Sequence, residues 1–121
     1  VDAVPAGIYG KAALTSLGLW EGVRRKVAQA ENVRAALVLV ARGVAPYGIV
    51  YETDAGAADD VTIVGRFPPS SHPAIVYPAA VVAGSRNARQ GARFLTHLQS
   101  PKARVVFERH GFPVGDPVLQ N

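Results

Sequence analysis

Apolar residues recur at helical spacing near the middle of the chain. They fall at i, i+3, i+4, i+7 and i+8, at Val33, Ala36, Leu37, Val40 and Ala41. This periodicity predicts an α-helix with one apolar face. Asn32 precedes the helix as a capping residue, and Gly43 follows it as a stop.

Helical patterns occur on both sides of this segment. They cover residues 5–17, 20–29, 86–98 and 101–110, and Thr53 or Asp54 could cap one helical turn that runs through Ala58. Pro5 and Pro101 each suit a first helical turn, where a missing N–H group leaves no broken hydrogen bond. Gly18 and Gly111 follow the first and last of these segments, so both helices are predicted to end there.

Three short apolar segments with β-forming residues lie between the helices, at 47–51, 61–67 and 74–83. The first has almost no polar side chain, which is typical of a strand covered on both faces. Pro78 interrupts the third, so that segment is predicted to be an edge strand or a crossover. The alternation predicts an α/β fold with helices packed on a small sheet. Such a narrow sheet has unpaired edges, which favour dimerisation or swapping of elements.

Composition narrows the possible functions. The chain has 121 residues, one domain or part of a larger one, and a net charge of +4 spread along its length. The chain has no cluster of basic residues that would indicate nucleic-acid binding. The absence of cysteine excludes disulfides, thiolate metal sites and thiol catalysis. The absence of methionine suggests a processed or excised piece, and no apolar run is long enough to span a membrane.

Side chains that could perform catalysis are few. The histidines His72, His97 and His110 have no second ligand at metal-binding spacing, so no metal site is expected. Ser71 and His72 are adjacent but lack the surroundings of a known nucleophile motif. The chain is therefore predicted to have no catalytic residues.

Two helix starts and one strand end suggest anion binding instead. Ala6 and Val33 lie in the first turns of their helices, where unpaired N–H groups and the positive end of the helix dipole can hold an oxyanion. Tyr51 ends the first apolar strand, where open α/β sheets place ligands, and its hydroxyl can donate one hydrogen bond. The alternatives to anion binding are that water caps each of the two helix starts and that Tyr51 is an aromatic residue with a packing role only.

The same three places carry a family resemblance. The matching stretches are 4–9 (VPAGIY), 31–37 (ENVRAAL), 48–55 (GIVYETDA), 67–68 (FP), 71–73 (SHP), 77–78 (YP) and 107–112 (FERHGF). In order and spacing, from Val4 to about Val114, they resemble the periplasmic molybdate-binding proteins of ABC importers.

The resemblance implies an incomplete type II periplasmic-binding-protein fold, which dimerisation or swapping could complete. Residues 1–78 would be part of ligand-binding lobe II. Residues 79–121 would be a crossover strand and C-terminal helices that pack with lobe I. No part of this chain matches the family's sequence stretches from lobe I.

The resemblance also implies a function and a site. The chain would bind molybdate or tungstate as the substrate-binding component of an importer, in the periplasm, and deliver the anion to a permease in the inner membrane. Backbone N–H groups of Ala6 and Val33 and the Tyr51 hydroxyl would hold the anion, with no cofactor. Lys11 and Arg34 would flank the site without ligating it. With half of the site absent, binding is expected to be weak or undetectable.

Three other functions remain open from the sequence. The same fold class serves as the effector domain of some transcription regulators, and fold alone does not fix function. An enzyme would have to use Ser71 and His72. An interaction protein could use a basic stripe, which comprises Arg86, Arg89, Arg93 and His97.

Overall fold

The structure, a computed structural model, describes residues 4–113. Within this range the chain forms two compact units, of which the first ends at Ile75 and the second begins at Val76. This division lies close to the boundary predicted after residue 78. The assignment of the two parts to the lobes of an intact binding protein stays a prediction.

The first unit opens with helix α1, Pro5–Ser16. Val4 precedes it with extended backbone, and Pro5 occupies the first turn as predicted. The helix ends before Gly18, whose φ of 71° is a left-handed conformation that glycine adopts without steric cost. The predicted helix over 5–17 and its stop are therefore confirmed.

Helix α2, Trp20–Val23, is shorter than the predicted segment 20–29. A 3-10 turn, Arg24–Lys26, follows it, and Val27 is already extended. None of the residues of α2 is buried, and glycine inside a helix lowers its stability. With no buried face to stabilise further turns, the helix ends early.

Helix α3, Val33–Ala41, confirms the strongest periodic pattern. The Asn32 side chain caps it, since Oδ1 accepts a hydrogen bond from the Ala35 N–H at 2.9 Å. A single turn, α4, follows at Glu52–Ala55. It begins directly after Tyr51, before both predicted caps, Thr53 and Asp54, and it ends before the predicted Ala58. The Tyr51 carbonyl accepts hydrogen bonds from two N–H groups of that turn.

The segments between the helices of the first unit do not form a sheet with one another. None of the described residues, 4–113, is paired in a β-ladder, so the strands predicted at 47–51, 61–67 and 74–83 and their sheet are unconfirmed. A ladder requires two segments whose N–H and C=O groups face each other. An apolar pattern predicts that a segment will be covered, but it does not identify the segment that pairs with it.

The second unit contains two helices that contact each other, α5 at Ala88–Leu98 and α6 at Pro101–Arg109. The Ser100 hydroxyl caps α6 by accepting a hydrogen bond from the Ala103 N–H at 3.3 Å. The predicted cap, first-turn proline and terminal glycine of this helix are confirmed, with Gly111 at a φ of 80°. Helix α5 begins later than the predicted position 86.

Candidate functional site

A cavity of about 590 Å³ lies within the first unit. It is bounded by α1, the end of α3, the start of α4 and the non-helical segments 46–51 and 61–68. Most of the side chains around it are apolar. The residues predicted to bind the anion that line it are Ala6 and Tyr51, and Val33 does not line it.

Ala6 is the second residue of α1, and only 7% of its surface is exposed. The first intrahelical bond nearby runs from the Ile8 N–H to the Val4 carbonyl at 3.0 Å. Ala6 takes no part in this bond. Its methyl side chain leaves room for a ligand to approach the backbone, where the helix dipole favours a negative charge.

Val33 is the first residue of α3, and its N–H lies in the same part of a helix as that of Ala6. The Asn32 side chain bonds to the Ala35 N–H and so does not occupy the N–H of Val33. Ala6 and Tyr51 both line the cavity, whereas Val33 does not. The role of Val33 stays a prediction.

Tyr51 lies at the start of α4 with an extended backbone, φ −73° and ψ 147°. Its carbonyl accepts hydrogen bonds from the N–H groups of Asp54 and Ala55, both at 3.1 Å. These bonds hold the residue at the edge of the cavity. The phenol group offers a directed donor that carries no charge.

Two charged residues at the cavity form an ion pair that the sequence did not predict. Arg66 Nη2 lies 2.6 Å from Glu52 Oε1, and both residues line the cavity. The hydrogen bond from Arg66 is the main reason that the pKa of Glu52 lies below its ordinary value of 4.5. The pKa of Arg66 is raised by the same bond. The two residues are 14 positions apart, so neither local spacing nor a motif could have paired them.

The structure gives Ser71 and His72 structural roles. The buried Ser71 hydroxyl donates a hydrogen bond to the Pro68 carbonyl at 2.6 Å. His72 Nδ1 lies 2.8 Å from the Pro73 carbonyl, so this nitrogen carries the proton and donates. The His72 ring also makes an edge contact with Tyr9, at 6.2 Å between centroids. A serine that donates to a carbonyl is not activated by the neighbouring histidine.

The cations expected to flank the site do not line the cavity. The Lys11 ammonium lies over the Trp20 ring, 5.4 Å from its centroid, and neither Lys11 nor Arg34 lines the cavity. The basic stripe is exposed, and its first member, Arg86, lies before α5 begins.

Over residues 4–113, no three His, Asp or Glu side chains lie close enough together to hold a metal ion. In the same range, none of the helices has the length and apolar character needed to cross a membrane.

Comparison with known proteins identifies relatives of this chain. Residues 1–113 match the family described as bacterial extracellular solute-binding protein. The chain is 50% identical over 113 residues to the molybdate-binding protein ModA of Escherichia coli and 47% identical over 109 residues to ModA of Haemophilus influenzae. It is 40% identical over 111 residues to the putative ABC transporter substrate-binding lipoprotein YvgL of Bacillus subtilis.

A solved structure is also similar. The substrate binding domain of a putative molybdenum ABC transporter from Clostridium difficile matches 94% of this chain with a TM-score of 0.79 and 31% sequence identity. These relatives are much longer than the chain. The match to the E. coli protein covers 93% of this chain and 44% of that protein. The corresponding values are 90% and 42% for the H. influenzae protein and 92% and 43% for the B. subtilis protein. The match to the C. difficile structure covers half of that domain.

Proposed function

The chain belongs to the bacterial extracellular solute-binding protein family, and we propose that it binds molybdate as part of the substrate-binding component of a molybdate ABC importer. One observation carries the proposal. Ala6 and Tyr51 line the same cavity in a chain that is 50% identical to a protein named as molybdate-binding. Tungstate, with the same charge and tetrahedral shape, would use the same donors.

The proposed site holds the anion with neutral groups. The backbone N–H of Ala6 and the hydroxyl of Tyr51 donate hydrogen bonds from the cavity wall, and the proposal includes the N–H of Val33, a residue that does not line the cavity, as a third donor. Hydrogen bonds to an ionised acceptor are shorter and stronger than those between neutral groups. They are strongest where water is excluded, because the local dielectric constant is low. Donors at fixed positions select an anion by its size and shape.

The cellular setting follows from the same proposal. The chain would work in the periplasm, without catalysis or a cofactor, and present its anion to a permease in the inner membrane. Two of the relatives described above are named as substrate-binding parts of ABC transporters, and the two ModA proteins are named as molybdate-binding. These names favour the importer over a regulatory effector domain. The contacts of Ser71 and His72 argue against a hydrolase.

Calorimetric titration of the chain with molybdate tests the proposal, with sulfate as the control anion. We expect a saturable heat change with molybdate that sulfate does not reproduce. The Kd should be larger than that of the full-length E. coli relative measured in parallel. The chain spans less than half of that relative, so fewer donors are expected around the anion. Equal responses to molybdate and sulfate would contradict the proposal.

A further inference from the structure

Two opposite charges meet on the wall of the cavity. Among the described residues that line it, Arg66 carries the only guanidinium or ammonium group and Glu52 carries the only carboxylate. Arg66 Nη2 donates a hydrogen bond to Glu52 Oε1 at 2.6 Å. Because the two charges have opposite signs, the pair adds no net charge to a wall that otherwise consists mostly of apolar side chains.

The ion pair lies beside one of the proposed anion donors. Glu52 follows Tyr51 directly and is the first residue of α4, and the Tyr51 carbonyl accepts two hydrogen bonds from that turn. The Glu52 backbone therefore has a fixed place next to Tyr51, and its carboxylate holds the Arg66 side chain. The two side chains are 57% and 63% exposed, so a dissolved anion can reach the guanidinium.

An unpaired guanidinium at this place would attract anions of many kinds. Arginine has five N–H groups in a planar fork, and this fork can bind two oxygens of a tetrahedral oxyanion at once. Its side chain is long and has many rotamers, so the fork can adjust to anions of different sizes. Neutral donors at fixed positions select by size, whereas a mobile cation attracts every dianion. A carboxylate bound to the fork offsets this unselective attraction with a charge that repels anions.

We propose that Glu52 is a specificity-determining residue, which holds Arg66 and thereby keeps anions that do not fit the neutral donors out of the cavity. The inference rests on the proposed anion binding and deepens it, because it names what excludes the wrong anion. While Glu52 holds Arg66, the choice between two dianions depends on the positions of the N–H and hydroxyl donors rather than on charge.

The test compares sulfate and molybdate binding by calorimetry in the unsubstituted chain and in Glu52→Gln, whose side chain has nearly the same shape and no charge. Sulfate binding should appear in Glu52→Gln or tighten by about threefold or more, because an exposed charge adds a small but measurable attraction. The gain should be larger for sulfate than for molybdate, which already has its neutral donors. It should shrink at high salt, because salt screens exposed charges.

Two further variants identify the cause of the gain. The double variant Glu52→Gln with Arg66→Gln also lacks the guanidinium, so it should bind sulfate about threefold or more weakly than Glu52→Gln alone. Glu21→Gln is the matched control, because Glu21 forms a similar ion pair with Arg24 at 2.7 Å and neither residue lines the cavity. This control should change sulfate binding by less than about twofold.

Three outcomes would overturn the inference. Equal sulfate binding by Glu52→Gln and the unsubstituted chain would show that Glu52 excludes nothing. A gain that persists in the double variant would assign the effect to the lost carboxylate rather than to Arg66. A gain of the same size in Glu21→Gln would mean that any unpaired arginine attracts sulfate. Failure of the proposed function is a separate result, since it is read from molybdate binding by the unsubstituted chain.

Discussion

Tyr51 has two separable roles at the scale of single residues. Its backbone carbonyl holds the first turn of α4 by accepting bonds from Asp54 and Ala55. Its phenol is the proposed donor to the anion. A substitution that keeps the ring and removes the hydroxyl therefore changes the second role and leaves the first intact.

Tyr51→Phe should weaken molybdate binding by about 1–3 kcal/mol, the usual effect of losing a hydrogen bond to a charged group. Calorimetry measures the loss in Kd, and the urea midpoint checks that the fold is unchanged. Tyr47→Phe is the matched control, because Tyr47 is 75% exposed and has no proposed donor role. An unchanged Kd for Tyr51→Phe would remove this hydroxyl from the site.

The Glu52–Arg66 pair predicts a specific pH response. The pKa of Glu52 lies below 4.5, chiefly because Arg66 donates a hydrogen bond to the carboxylate. The pair therefore contributes to stability above the ordinary pKa, and the contribution is lost as the pH falls through the lowered one. Arg66→Ala should raise the pKa of Glu52 towards 4.5, as measured by an NMR titration of the carboxyl carbon. An unaltered Glu52 titration would mean that the pair does not form in solution.

The elements show which parts of the fold are encoded locally. The starts of α1, α3 and α6 were predicted correctly, because their signals are local. Asn32 and Ser100 accept hydrogen bonds from N–H groups three residues later, and Pro5 fits a first turn, where its missing N–H breaks no hydrogen bond. The length of α2 was predicted wrongly, because it depends on packing that this helix lacks. The Glu52–Arg66 pair and the position of Val33 outside the cavity depend on contacts distant in sequence, which no local pattern reports.

Segment 46–50 lies so close to α3 at Gly48 that a side chain would not fit there. A Cβ atom added at Gly48 would lie 2.7 Å from Cγ2 of Val40 on α3. A β-branched side chain in a helix has little freedom to move aside. Segment 46–50 can therefore lie against α3 only because position 48 has no side chain.

Gly48→Ala should destabilise the first unit by about 1–3 kcal/mol, the usual effect of overpacking. Gly22→Ala is the matched control, because nothing lies within 4 Å of an added Cβ there, and it should stabilise α2 by about 0.5–1 kcal/mol. Urea denaturation measures both changes. Equal stability of Gly48→Ala and the unsubstituted chain would contradict the contact between segment 46–50 and α3.

For the molecule as a whole, the chain carries a recognisable part of a solute-binding fold together with the uncovered surface of that part. The family match covers residues 1–113, and the solved relative shares the backbone arrangement. The predicted sheet is unconfirmed because none of the described residues is paired in a ladder.

The central claim is that the Ala6 N–H and the Tyr51 hydroxyl hold molybdate, with the Val33 N–H as a third donor. An amide NMR titration of the chain tests it most directly, with sulfate as the control. We predict saturable shifts at Ala6, Tyr51 and Val33 with molybdate, and none at Arg104 in α6. No selective shift at Ala6 and Tyr51 would contradict the claim.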